Sequence, residues 1–183
     1  MIQNRTISRT GARWILPRYK RDWRMICAIL PAYLEDGTNG TVVTYLDDTA
    51  EEVPYRLCWV LDDLLLHLHT SRAALTKQSR LYLGKNAKRV PLVASAEVAL
   101  VPVKGRQALM RNDGTTGYAV LAHVQDVIPH GTENRLYFTG GTYITVYDTT
   151  RTLWENLNLT KEMKKKYEED LQWQSTPLHS VGA

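Results

Sequence analysis

Nine cations crowd into residues 71–111: Arg72, Lys77, Arg80, Lys85, Lys88, Arg89, Lys104, Arg106 and Arg111, opposed only by Glu97, for a net charge of +8. So dense a charge repels itself unless an anionic partner offsets it. Nucleic acid is the commonest such partner, because each neutralised phosphate releases condensed counterions. The competing reading is a solvated face whose charges pair with residues 25–70, where one basic and eight acidic side chains give −7. Charge alone does not separate the two.

The other reactive residue types lead nowhere specific. His67 and His69 stand two apart on an expected helix, so they point away from each other and cannot chelate together; no Cys or acidic cluster completes a zinc-type set. Cys27 lies in an apolar run and Cys58 between Leu57 and Trp59, positions that bury a thiol and leave it inert. There is no GxSxG elbow, and Gly84-Lys85 lacks the rest of a phosphate-binding loop. Asp62-Asp63 reads as a helix start and Gly140-Gly141 as a hairpin turn. No cofactor or metal is expected, and the chain reads as non-enzymatic.

At 183 residues with 44% hydrophobic content, the chain suits one domain with appendages and a real core. Ten Tyr and five Trp against one Phe favour half-wet sheet faces and stacking surfaces over a purely oily interior. The apolar stretches fall short of the roughly 20 residues that span a bilayer, so no membrane association is expected. Arg5, Arg9, Arg13, Arg18, Lys20, Arg21 and Arg24 crowd the N-terminus, but no apolar core of about 7–15 residues follows, which argues against a secretory signal. An organelle transit peptide has a similar Arg-rich, acid-poor character. Two cysteines without CxxC spacing fit a reducing cytoplasm.

The elements that must position the basic segment are short. Residues 1–24 read as a basic arm, at least partly mobile. Met25–Leu30, ended by Pro31, reads as a strand. Asp36-Gly37 and Asn39-Gly40 mark turns before the β-branched run Thr41–Leu46. Another strand is expected over Tyr55–Val60, then a helix over Leu61–Leu68 with Asp62 and Asp63 in its first turn. Residues 71–89 read as a basic loop holding a helical turn near Ala73–Ser79. Val90–Ala94, Glu97–Val103 and Gly117–Val127 read as strands, with Pro102 at a strand end or edge. Leu136–Thr139, Gly140-Gly141 and Thr142–Val146 form a hairpin, followed by a short helix capped by Asp148 or Thr149 and running to Leu157. A faint echo relates Gly40–Leu65 to Gly131–Leu157. A last helix, Lys161 to Trp173, opens after Thr160 as N-cap, with Leu159, Met163, Tyr167 and Leu171 on one stripe. Its lysines come first and its acids last, against the macrodipole, so it is expected to serve partner contacts more than the core.

In this order, residues 25–157 resemble the ComK family of bacterial competence regulators. The resemblance is carried by Ile29-Leu30-Pro31, the helix and basic loop over Leu64–Lys85, Val90-Pro91-Leu92-Val93, and Val98-Ala99-Leu100-Val101-Pro102. It continues through Gly117–Val127, the hairpin Leu136-Tyr137-Phe138-Thr139-Gly140-Gly141-Thr142, and the helix with Trp154 and Leu157. The chain departs from the family at Pro102-Val103-Lys104 and at Tyr118, where a Trp is usual, and the arm 1–24 has no counterpart in it. The resemblance implies a cytoplasmic transcription activator that binds AT-rich promoter DNA largely through the minor groove. It also implies self-association on double-stranded DNA, help for RNA polymerase at DNA-uptake genes, and delivery to a protease by a MecA-type adaptor.

The reading is an α+β fold, predominantly β: a basic arm (1–24), a β-rich DNA-binding domain (25–157) and a C-terminal helix and tail (158–183). The nine cations of residues 71–111 are its candidate DNA contacts. A single-stranded DNA- or RNA-binding β-barrel and a non-enzymatic protein-interaction module are the alternatives.

Overall fold

Runs such as Ile26–Leu30 and Ala99–Val103 are apolar at every position. A strand keeps such a run only where both of its faces are covered, because successive side chains point to opposite sides. The computed structural model describes residues 18–84 and 87–175 and has this arrangement. Strands β1 (Ile26–Tyr33), β2 (Asn39–Tyr45) and β3 (Ala50–Val53) precede helices α1 (Leu57–His67) and α2 (Arg72–Leu83). Then come β4 (Leu92–Val93), β5 (Ala99–Lys104), β6 (Thr116–Val120), β7 (Val124–His130), β8 (Glu133–Phe138), β9 (Tyr143–Val146) and helix α3 (Thr150–Ser175).

The first sheet has the order β3-β2-β1-β6-β5-β4 and the second β7-β8-β9; every pairing is antiparallel. The fold is α+β. Ile29, Leu100 and Tyr118 face one core with Leu61, Leu64 and Leu65 of α1 and Leu75 of α2. Their neighbours Leu30, Val101 and Ala119 face a second core with Leu136 and Phe138 of β8 and Leu153 and Leu157 of α3. The six-stranded sheet is thus the middle of three layers.

The faint sequence echo is a repeat in three dimensions. A short 3-10 turn, three antiparallel strands and a helix occur as 23–67 and again from 121 onward. Thr41↔Val53 and Thr44↔Ala50 recur as Asn134↔Val146 and Tyr137↔Tyr143. Both first strands carry an irregularity at their start, between Ile26 and Ala28 and between Val124 and Asp126. The Thr41 hydroxyl donates to the Tyr55 carbonyl at 2.7 Å, and the Asn134 amide donates to the Asp148 carbonyl at 2.7 Å. Tyr45 N–H closes its turn on Thr49 O as Phe138 N–H does on Thr142 O. Two segments with little identity obey one hydrogen-bond plan.

Several expectations are corrected. The strand expected at Tyr55–Val60 is the first turn of α1: Leu57, Val60, Leu61, Leu64 and Leu65 repeat at helical spacing, and that period overrides β-propensity. Asp62 and Asp63 therefore lie mid-helix. The basic loop is helix α2, capped by the Ser71 hydroxyl accepting from Ala74 N–H and ended by Gly84 at φ 61°. Gly117–Val127 is broken by a 3-10 turn at Leu121–His123, where the chain leaves one sheet for the other. The two C-terminal helices are one, and α3 passes the expected boundary at 157/158 unbroken. Thr160 is fully buried, and its hydroxyl donates to Asn156 O one turn back instead of capping. The lysines then fall mid-helix, away from the macrodipole's ends, and Lys166 pairs with Asp170 at i,i+4 (2.8 Å). Met163 is buried against Val93 and Ala99, with Leu159 and Tyr167 beside it, so this stretch belongs to the core.

Candidate nucleic-acid interface

The acidic segment 25–70 is engaged chiefly by the arm. Arg18 holds Asp63 through Nη1 (2.5 Å) and its backbone N–H (2.8 Å). Its guanidinium also lies 5.2 Å from the Tyr55 ring centre and 5.3 Å from that of Trp59. Lys20 N–H donates to Glu51 and Arg21 pairs with Asp47. Residues 18–24 are therefore docked; residues 1–17, with Arg5, Arg9 and Arg13, lie outside the described residues. Between the acidic segment and the cations of 71–111, the described residues form one ion pair, Arg72–Asp62 at 3.2 Å.

The remaining cations lie on α2, on the stretch after it, at the end of β5 and on the loop that follows. Lys77 and Arg80, three apart on α2, are exposed and share a helix face. Arg80 Nε donates to Ala87 O at 3.4 Å, tying the helix to the stretch that carries Lys88 and Arg89. Arg89 pairs with the buried Asp148 at 2.7 Å. The same carboxylate accepts the backbone N–H of Lys104, at the end of β5. From Lys104 springs the loop 105–115, whose tip exposes Arg111. Among the described residues Lys77, Arg80, Lys88, Lys104 and Arg111 have no ion-pair partner. Lys85 lies outside the described residues.

Arg106, one of the candidate contacts, is enclosed as a brace. Only 8% exposed, it donates to Ala32 O (2.9 Å), Gly114 O (2.8 Å) and Asn39 Oδ1 (2.6 Å), and stacks 4.1 Å from the Tyr33 ring centre. A planar fork with several rigidly placed donors suits this task as an ammonium would not. The Tyr33 hydroxyl donates to Asp113 and accepts from Leu109 N–H at 2.8 Å. Asp113 also accepts from Met110 N–H (3.0 Å) and Asn39 Nδ2 (3.4 Å). These bonds, the Tyr33 hydroxyl's first, hold the Asp113 carboxyl below its ordinary value. The bracing residue Tyr33 has no local signature in the sequence; Asn39 and Asp113 stood out only as turn residues, in Asn39-Gly40 and Asn112-Asp113-Gly114.

Of the two cysteines expected to be buried, Cys58 is only half-buried. Cys27 is fully buried, its thiol donates to Thr44 O at 3.3 Å, and burial pushes its pKa up to about 12. His67 packs edge-on to Tyr19, and His69 lies past the end of α1 at φ 53°. No group of three His, Cys, Asp or Glu among the described residues is arranged to hold a metal ion, and none of the described helices is long and apolar enough to cross a membrane.

No family model, curated protein or solved structure matches this chain. The cations without ion-pair partners among the described residues, on α2, at Lys88, at the end of β5 and on the 105–115 loop, suit a polyanion.

Proposed function

We propose that the protein is a sequence-preferring, double-stranded DNA-binding transcription activator of the ComK type, acting at AT-rich promoters of DNA-uptake genes largely through the minor groove. The observation that carries this reading is the division of charge. Arg18 and Arg21 of the docked arm pair with Asp63 and Asp47, whereas Lys77, Arg80, Lys88, Arg111 and the half-buried Lys104 have no ion-pair partner among the described residues. A polyanion relieves that repulsion by counterion release. In this proposal the protein is a non-enzymatic, cytoplasmic homo-oligomer that engages RNA polymerase and is passed to a protease by a MecA-type adaptor.

A second reading draws on the open face of the second sheet. Tyr137 and Tyr143 lie 5.3 Å apart there, and the Arg135 guanidinium lies 4.7 Å from the Tyr143 ring centre. Aromatic and arginine planes on a sheet are what single-strand binders stack bases upon.

A gel shift with AT-rich duplex, GC-rich duplex and single strand, each at two salt concentrations, separates the readings. Tightest binding to AT-rich duplex supports the first and preference for single strand supports the second. No affinity for any of the three at moderate salt leaves the protein-interaction module. Inosine·cytosine pairs, which lack the guanine amino group in the minor groove, then test the groove: binding as weak as to guanine·cytosine pairs refutes minor-groove entry.

A further inference from the structure

The loop 105–115 exposes two large apolar side chains side by side, Leu109 at 78% and Met110 at 74%. Hydrogen bonds of the loop backbone hold the pair outward. The N–H of Leu109 is taken by the Tyr33 hydroxyl and that of Met110 by Asp113. Asp113 N–H returns to Met110 O at 3.0 Å, closing a tight turn with Arg111 and Asn112 at its tip. Gly105 N–H bonds Thr115 O at 2.8 Å, pinching the base shut, and Arg106 locks that base to β1 and β2. The pair is thus presented on a preorganised arm, with Arg111 next in the chain and Lys104 at the root. The neighbouring β1–β2 turn carries Glu35 and Asp36, both exposed, so an anionic partner is steered toward the Lys104 side.

From this geometry we infer that Leu109 and Met110 form an apolar wedge that enters the minor groove and opens a base step, kinking the duplex while Arg111 and Lys104 hold the flanking phosphates. This rests on the DNA-binding reading above. Proteins that bend DNA from the minor groove insert side chains of this kind, Leu and Met among them, between partly unstacked bases. The wedge also gives AT preference a second source. Pyrimidine–purine steps such as TA unstack easily, whereas A-tracts are stiff, so AT-rich duplex containing TA steps is preferred to an uninterrupted A-tract of equal composition.

The test uses the full chain with two AT-rich duplexes, one with a central TA step, the other an uninterrupted A-tract. Bending is read by end-to-end energy transfer and unstacking by permanganate oxidation of the thymine at the step, which leaves the minor groove unaltered. Wild type is expected to kink the TA duplex by roughly 20–90° and to raise the thymine's reactivity. Leu109→Ala with Met110→Ala, a change confined to exposed side chains, is expected to melt as wild type and to keep the salt dependence of binding. It is also expected to lose the kink and the rise in reactivity and to lose the preference for the TA duplex over the A-tract. Leu109→Met with Met110→Leu, which keeps the apolar bulk, is expected to restore all three. Salt-dependent binding by wild type without kink or unstacking overturns the wedge and leaves DNA binding standing, as does a double alanine variant that kinks DNA normally. If the double alanine variant instead loses self-association in sedimentation with its DNA kink intact, the pair is a protein contact. No binding by wild type to either duplex at low salt overturns both readings together.

Discussion

Replacing Arg106 by Ala separates a brace from a DNA contact. The guanidinium satisfies Ala32 O, Gly114 O and Asn39 Oδ1 and covers the Tyr33 ring. Truncation leaves three partly buried acceptors short of a donor, at about 1 kcal/mol each after partial rehydration, and removes a cation–π contact of about 0.5–1 kcal/mol. The expected loss is about 3.5–4 kcal/mol, or a fall in Tm of about 7–16 °C for a chain of this size. Arg106→Lys is expected to recover less than half of this, since an ammonium cannot reach three acceptors fixed in a fork's geometry. Thermal melting by circular dichroism reads both variants, and the salt dependence of binding to AT-rich duplex, taken where each is folded, reads the contact count. An Arg106→Ala protein that melts with wild type, while its salt slope is shallower by about 0.9, would mean that Arg106 meets phosphate and is no brace.

Five cations without ion-pair partners set the salt dependence of the wild type: log K against log[salt] is expected to fall with a slope of about −4.5, or roughly 500-fold between 50 and 200 mM salt, and a slope near zero removes the electrostatic basis of the proposal. Truncation after Tyr167 is expected to leave cooperative melting intact, whereas truncation after Leu159 uncovers Val93 and Ala99 by removing Met163 and lowers stability by about 2–5 kcal/mol; equal melting of the two would place this half of α3 outside the core. Asp113 is held ionised by the Tyr33 hydroxyl above all, below its ordinary value of 3.8. A depressed carboxyl stabilises the fold above its unfolded pKa and stops doing so as pH falls through its folded one. The Leu109 and Met110 amide signals are therefore expected to keep their positions from neutral pH down past the ordinary aspartate range, and their movement between pH 5 and 6 would assign the brace to another group.

The hairpin at Gly140-Gly141, the turn at Asp36-Gly37 and the strand runs were legible because their signals are local: a glycine that takes positive φ, or β-branched residues in series. Asn39-Gly40, read as a second turn, instead opens β2 and pairs with Tyr33 and Ala32, because one turn at Asp36-Gly37 already reverses the chain. Helix α2 was hidden although both its ends were written in the sequence, as Ser71 and Gly84. Its apolar stripe is thin, since Leu75 and Ser79 are its buried residues, and a thin stripe gives periodicity little to detect. The join of the two C-terminal helices was hidden for a different reason. Thr160 looks like a cap in one dimension, and only the packing of Met163 against β4 and β5 shows the helix continuing through it.

By itself the sequence determined the α+β class, the apolar runs that become doubly covered strands, and the concentration of cations in residues 71–111. These follow from composition and short-range periodicity, which any contiguous stretch carries within itself. The tertiary structure decided which cations face solvent. Arg72 and Arg89 find carboxylates ten and fifty-nine residues away, and Arg106 is enclosed by groups from β1, β2 and its own loop. Lys77, Arg80, Lys88, Lys104 and Arg111 have no ion-pair partner among the described residues, while Arg18 and Arg21 of the arm hold Asp63 and Asp47. Pairing of this kind depends on distances between residues remote in the chain, and those distances exist only once the sheet order β3-β2-β1-β6-β5-β4 has brought the ends of β1, β2, β5 and β6 together.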